Sequence, residues 1–296
     1  MRYDVLVYGP LFCDLIFTEL PGMPELGKEL FAGAFTVAIG GAAIVAAALH
    51  KLGARVGLIA ELGDDPISAI ARGLLDDLGL DRTLVREHPH SLPQLTVALS
   101  FPEERAFITR FERPADPPDL AAILRDHPAR HLHVGSFLAG FETPDVCTIA
   151  HAAGLTVSFD PGWDEAALLD SRIARLIAEV DFFLPNRSEL RHIGRNEDVQ
   201  GAAAAVSAAM RSGRIILKQG ADGATAFTPD GRPEAHAGVL PVTPVDTTGA
   251  GDAFDAGFLY AHLQGLPLAT CLRYGAVCGG LTTTRAGGTN ALPTKA

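Results

Sequence analysis

Long runs of any one kind are what this chain lacks. Its 24 Lys and Arg are scattered, with no basic run, against 35 Asp and Glu, for a net charge of −11. That balance excludes nucleic acid or an anionic membrane surface as the main partner. It does not exclude an anionic ligand, because backbone N–H groups can bind phosphate in an acidic protein. No apolar run reaches membrane-spanning length without a Gly or a charge to interrupt it. Cysteine is sparse: Cys13, Cys147, Cys271 and Cys278 form no C-x-x-C pair and no zinc spacing. Buried free thiols in a reducing compartment are therefore expected. The opening residues Met1-Arg2-Tyr3-Asp4-Val5 lead straight into a strand pattern and lack a signal-peptide layout, so the cytoplasm is the expected location. There is no internal repeat, and no linker rich in Gly, Ser or Pro splits the chain. With 48% hydrophobic and 20% charged residues, the 296 residues have ample material for a core.

What is there reads first as alternating strands and helices. Val5-Leu6-Val7-Tyr8-Gly9 is a buried first strand with Asp14 beyond it. Phe31, Phe35, Val37 and Ile39 alternate within 29–39, the period of a half-buried antiparallel strand. Gly40-Gly41 then opens a small-residue helix from Ala42 to Leu52, closed by Gly53. Val56 to Ala60 is a second buried strand, and Asp65-Pro66 starts a helix that runs to Leu78-Gly79. Leu95–Phe101 and Arg105–Phe111 alternate as strands, with Pro102-Glu103-Glu104 as a hairpin turn. From Leu120 the pattern is regular: strands at 131–135, 155–160, 181–184 and 214–218, and helices at 144–153, 164–178, 189–192 and 199–211. Such alternation predicts a parallel sheet covered on both faces, with the early alternating segments forming a separate small antiparallel sheet.

The chemistry gathers at Asp246-Thr247-Thr248-Gly249-Ala250-Gly251-Asp252-Ala253-Phe254. Small residues at 249–251 let a backbone turn bring its N–H groups near an anion. The apolar helix after them points free N–H groups and a positive dipole end at the same place, with Asp252 beside it as a proton acceptor. A plain helix start capped by Asp fits this stretch equally well. Ligands of open parallel sheets bind beyond the C-terminal strand ends, and Asp14, Asp160, Asn186, Lys218 and Gly220 all fall at such ends. That convergence favours a phosphate site. Asn186 with Glu189 also reads as a capping box, Asp160-Pro161-Gly162 as a turn, and His131 and His133 as structural residues on a strand edge.

These motifs, in this order along essentially the whole chain, resemble the ribokinase-like sugar kinases, the phosphofructokinase B group. The 246–254 stretch matches the second signature of that family without a gap. Gly40-Gly41 through Leu52-Gly53 resembles the first, Asn186-Arg187-Ser188-Glu189 the Asn-x-x-Glu motif, and Lys218-Gln219-Gly220-Ala221-Asp222-Gly223 the Lys-x-Gly-x-x-Gly turn. The resemblance implies an α/β, ribokinase-like three-layer domain over 1–296, with a mainly parallel central sheet. It also implies a small antiparallel β lid, inserted around 12–39 and 94–113, through which two copies would pair as a homodimer.

The implied activity is transfer of the γ-phosphoryl group of ATP to a hydroxyl of a small sugar or sugar derivative. Asp252 would be the base, ionised at neutral pH, and Gly249, Ala250 and Gly251 the anion hole. Asp14, Gly40, Gly41 and Ile44 would face the acceptor. Asn186, Lys218, Gly220, Gly223 and Thr248 would hold the nucleotide, and Asn186 and Glu189 Mg²⁺. Asp246, the Thr248 carbonyl and the loop around Thr284 to Gly288 would form a monovalent-cation site for K⁺. One position departs: where the family usually carries an Asn after Gly-Gly, this chain has Ile44, which predicts an acceptor with an apolar or less hydroxylated edge there. A nucleoside kinase of the same fold is the alternative. A dinucleotide-dependent oxidoreductase fits poorly, because Gly249-Ala250-Gly251 lies near the C-terminus rather than in the first strand-to-helix turn. A non-catalytic sugar-binding regulator conflicts with the intact Asp252.

Overall fold

A computed structural model describes residues 2–101 and 105–295. The hairpin expected at Pro102-Glu103-Glu104 lies outside the described residues. The strands are β1 (Val5–Tyr8), β2 (Leu11–Thr18), β3 (Ala34–Gly41), β4 (Val56–Leu62), β5 (Val85–Glu87), β6 (Leu95–Ser100), β7 (Arg105–Arg110), β8 (His131–Val134), β9 (Thr156–Phe159), β10 (Phe182–Phe183), β11 (Arg214–Lys218), β12 (Ala224–Phe227) and β13 (Pro233–Ala237). The helices are α1 (Ala42–Lys51), α2 (Pro66–Asp77), α3 (Leu120–Asp126), α4 (Phe137–Glu142), α5 (Val146–Ala152), α6 (Glu165–Leu168), α7 (Ser171–Ile177), α8 (Arg187–Gly194), α9 (Val199–Ala209), α10 (Ala250–Leu263) and α11 (Leu268–Thr282).

Among the described residues, a nine-stranded sheet runs in the order β13-β12-β11-β10-β9-β8-β1-β4-β5. It is parallel from β11 to β5, and an antiparallel hairpin, β12–β13, closes one edge. The central strands are buried on both faces, as the continuous apolar run Val5-Leu6-Val7-Tyr8 requires. The apolar cores on the two sides of the sheet are covered by α1, α2, α10 and α11 on one side and by α3, α5, α7 and α9 on the other. Strand order reverses at β1: β4 lies on one side and β8 on the other. That reversal opens a crevice at the C-terminal strand ends, where open α/β sheets bind ligands.

From β1 the chain passes through Gly9-Pro10 into a second, four-stranded sheet, β3-β2-β6-β7. Its outer pairings are antiparallel, while the central β2–β6 pairing is parallel. Strand β2 falls in the lid segment expected around 12–39, but its bounds are not legible, because Leu11–Thr18 is nearly all apolar and carries no clear period. Asp14 accordingly sits within a strand and not in a loop after β1. The 164–178 helix divides into α6 and α7, because Asp170 caps a new start by accepting the Arg172 N–H at 2.8 Å. His131 and His133 lie on β8, an interior strand flanked by β1 and β9, and not at an edge.

Candidate active site

The helix expected to begin at Ala253 begins at Ala250, with Gly249 as its N-cap in the left-handed region at φ 72°. A Cβ there would meet the Cα of Gly288 at 2.8 Å and the Cδ1 of Ile44 at 3.1 Å, so backbone angle and crowding both demand glycine. The 249–251 turn is thus the cap and first two residues of α10, and Asp252 is the third. The Ala250 N–H is turned onto the Thr247 carbonyl at 3.3 Å, and the first helical bond runs from the Ala253 N–H to the Gly249 carbonyl at 2.9 Å. Of the three residues of the turn, Ala250 therefore has its N–H engaged within the chain. Asp252 is half-buried, and its carboxyl is pushed up to about 7, by burial and then by the nearby Asp160 charge, against Lys218 and its own N–H. The helix end alone would leave it fully ionised at neutral pH; burial beside a second carboxylate outweighs the dipole.

Behind Asp252 lies a buried charge cluster. Lys218, at the end of β11, places Nζ 2.6 Å from Asp160 and 3.2 Å from both oxygens of Asp255. Asp160 ends β9, and Asp255 stands one turn after Asp252 on α10. Burial works to raise the Asp160 carboxyl, but Lys218 and its hydrogen bonds win and hold it below the usual range. Asp255, wholly buried beside other acids, is pushed well above it. One ion pair, Lys218–Asp160, with a protonated Asp255 donating to Asp160, satisfies all three groups.

Asn186 and Glu189 form a complete capping box. The Asn186 side chain accepts the Glu189 N–H at 3.0 Å, Glu189 Oε2 accepts the Asn186 N–H at 2.7 Å, and Asn186 Nδ2 donates to Glu189 Oε1 at 2.6 Å. Both carboxylate oxygens of Glu189 are therefore engaged by Asn186, and the residue is only 4% exposed. Its carboxyl is pushed up to about 8, first by burial and then by Asp160. Among the described residues no group of three or more His, Cys, Asp or Glu side chains could hold a metal ion by itself. Glu189 and Asp252 nonetheless leave this corner short of positive charge. That shortage fits a hard divalent cation brought in by phosphates and held through water.

Across from α10, Asp14 is laid on Gly40: a Cβ there would sit 2.4 Å from each carboxylate oxygen. Burial, then the charges of Asp252 and Asp246, pushes the Asp14 carboxyl up to about 7. Gly41 caps α1 at φ 63°. Asp14 and Asp252 lie close enough for the Asp252 charge to act on the Asp14 carboxyl. Ile44 is buried beside the α10 turn. The side chain is 2% exposed, and its Cδ1 packs against Gly249 and Gly288, beneath the start of α10. Ile44 thus supports the turn that carries Asp252.

Asp246 is 3% exposed and clasps two loops. Oδ1 accepts the Thr248 N–H at 3.0 Å and its hydroxyl at 2.8 Å; Oδ2 accepts the Gly287 N–H at 2.8 Å. Its carboxylate is therefore committed to backbone and hydroxyl donors at the place expected for a monovalent cation. On the other side of α10 opens a cleft of about 380 Å³. Lys218, Gly220 and Gly223 line one wall, Ala250, Gly251 and Phe254 a second, and Ala276, Gly279 and Gly280 of α11 a third, with Val239–Pro244 alongside. Most of that lining is apolar, as the flat faces of a nucleotide base require.

Sequence reasoning left Asp160 as a turn residue and passed over Asp255. Asp160 does make its turn, accepting the Gly162 N–H at 3.1 Å, but it also anchors Lys218. The signal for Asp255 was present: a charged residue three positions after Asp252 in an otherwise apolar helix needs a buried partner. His131 and His133 share the Ser158 hydroxyl, at 2.7 and 2.8 Å. Burial drives both below the ordinary histidine range, His133 to about 4, so both are neutral packing residues. The whole arrangement can hold phosphates between a helix end and a buried cation, and offers a carboxylate base that titrates near neutrality.

Comparison with known proteins agrees with that chemistry. The family model described as "pfkB family carbohydrate kinase" matches residues 4–295. An ATP-dependent ribose-1-phosphate kinase of Halopiger xanaduensis is 33% identical over 258 residues, covering 85% of this chain and 82% of the relative. A fructokinase of Klebsiella pneumoniae is 32% identical over 280 residues, covering 86% and 89%. The solved structure of Arabidopsis thaliana ribokinase complexed with ribose and ATP superposes with a TM-score of 0.82 at 24% identity, covering 100% and 97%.

Proposed function

The chain belongs to the pfkB family of carbohydrate kinases, and from that premise we propose how its own residues carry out ATP-dependent phosphorylation of a small sugar. The nucleotide lies in the apolar cleft beside α11, with its phosphates running along the Lys218–Gly223 turn toward the start of α10. The observation that carries this reading is the position of Asp252. It stands third on α10, directly after Ala250 and Gly251 of the cleft wall, and close enough to Asp14 for its charge to raise that carboxyl.

The acceptor is held against Asp14 and the Gly40–Gly41 backbone, with one hydroxyl on Asp252. At a proton affinity near neutrality, Asp252 is ionised in an appreciable fraction of molecules and takes the hydroxyl proton as the phosphoryl group arrives. The N–H groups at Gly251 and Asp252 and the α10 dipole stabilise the charge on the transferring group. Lys218, held by Asp160, supplies fixed positive charge behind that point. Mg²⁺ bound through water to Glu189 and Asn186 would neutralise phosphate charge there. The loops clasped by Asp246 are where K⁺ dependence should originate.

The small sheet acts as a lid that excludes water from the acceptor. One of its faces exposes Phe35 and Ile108, the latter 67% exposed. An apolar face of this kind favours pairing of two copies through the lid. Four buried unpaired cysteines accord with a cytoplasmic enzyme.

The test is turnover on a panel of sugars, sugar acids, sugar phosphates and nucleosides with ATP and Mg²⁺, with and without K⁺. Phosphorylation of a sugar class at the expense of nucleosides is the expected result. A preference for nucleosides would transfer the protein to the alternative acceptor class. ATP binding with no acceptor phosphorylated would overturn the proposal.

A further inference from the structure

Arg105 opens β7, where its backbone pairs with Ser100 of β6. Its Nη1 donates to the Thr248 hydroxyl at 3.2 Å, across to the large body of the protein. That hydroxyl donates in turn to Asp246 Oδ1 at 2.8 Å, and Asp246 Oδ2 accepts the Gly287 N–H at 2.8 Å. The next residue after Thr248 is Gly249, the bent cap of α10, which packs on Gly288. A continuous line of donors and acceptors therefore joins the small sheet to both loops that hold the start of α10. Each bond in such a chain polarises the next, and the guanidinium offsets the buried charge of Asp246 through one hydroxyl. The Phe107 ring, two residues along β7, lies 5.2 Å from the guanidinium carbon and restrains it.

We propose that Arg105 is a positioning residue for phosphoryl transfer, transmitting the seating of the small sheet to the Gly249–Asp252 turn. The inference rests on the role given above to Asp252. An acceptor bound between Asp14 on β2 and the α10 turn bears on the same small sheet that carries Arg105, because β2 pairs with β6 and β6 with β7. Neither Arg105 nor Thr248 lines the nucleotide cleft, which meets the turn only at Thr247, Ala250 and Gly251. Arg105 thus acts on the transfer step and not on nucleotide affinity.

The experiment compares Arg105→Gln, Arg105→Lys, Thr248→Val and the Gln/Val double variant. We expect Arg105→Gln to lower kcat at least about tenfold while directly measured ATP affinity stays within about twofold, a split that loss of general stability does not produce. Arg105→Lys should recover part of the loss, since a lysine keeps the charge but not the planar fork. Thr248→Val should cost a similar factor, and the double variant no more than the worse single, because both cut one line. Unchanged kcat in Arg105→Gln, or losses that multiply in the double variant, would overturn the proposal. Hydrogen exchange supplies a readout independent of turnover: amides of 246–252 should exchange faster in Arg105→Gln than in wild type, and equal rates would also overturn it. Failure of the wild type to phosphorylate any acceptor is a different result and would count against the kinase reading itself.

Discussion

Asp252→Asn separates the two things that burial does to this carboxylate. The variant keeps the shape of the side chain and removes both its charge and its ability to accept a proton. Displacement of the carboxyl from 3.8 to about 7 corresponds to roughly 4 kcal/mol against the ionised form, at about 1.4 kcal/mol per tenfold. Asp252 keeps partial contact with water, so about 1–2 kcal/mol is the share expected in stability. For a chain of this size that is a rise in Tm of about 2–8 °C at pH 8.

The sign follows from proton counting. Between about pH 4 and pH 7 the folded protein retains a proton that the unfolded chain has released, so this group's contribution to wild-type stability falls as pH rises through about 7. The Asn variant has no such loss. Its advantage should be full at pH 8, less than half as large at pH 5, and absent below about pH 4. In the same protein kcat should fall by at least about 10², the usual cost of losing a general base. The wild-type acid limb of kcat/KM, near pH 7 in the free enzyme, should disappear. Thermal melts at the two pH values and a coupled assay for ADP formation measure both effects. A variant that is less stable than wild type at pH 8 would refute the buried-charge argument, and near-normal kcat would remove Asp252 from the mechanism.

Three further outcomes follow from the geometry. In Gly280→Leu the new Cβ meets no atom closer than 3.9 Å, so the side chain can grow into the nucleotide cleft. The KM for ATP should rise at least about tenfold with the acceptor KM little changed, and equal changes in both would argue against this cleft as the nucleotide site. Lys218→Met strands the Asp160 carboxylate, which costs about 3–5 kcal/mol; a melting temperature within a degree or two of wild type would show that the cluster is not held by this ion pair. Ile44→Asn buries an amide under α10 at a cost of about 1–3 kcal/mol, so Tm should fall while the rank order of acceptors stays as in wild type. A changed acceptor order would place Ile44 at the acceptor site.

Asn186, Lys218 and Asp252 were singled out in the sequence because each follows a strong local pattern, an apolar run that ends or small residues before a helix, whereas Asp14, taken to follow β1, lies inside β2. The alternation of strands and helices is likewise a local property, since a period of two or of 3.6 is read from neighbours. From these the mainly parallel sheet and its separate small sheet could be stated in advance. The bounds of strand β2 could not, because Leu11–Thr18, apolar except at Asp14 and Thr18, has no clear period to distinguish a strand from a buried loop. Nor could the partner of Lys218, since Asp160 and Asp255 are 58 and 37 residues away from it.

The tertiary structure decided the electrostatics. A helix start in isolation favours an ionised Asp252, but only packing buries it and places Asp160 close enough to raise its proton affinity. It also decided which way Ile44 points, because that depends on how closely α1 approaches Gly249 and Gly288. The order of motifs along the chain determined the family and proposed Asp252 as the reacting residue. The charge state of that residue, and the line from Arg105 to the turn that holds it, exist only once distant strands are brought together.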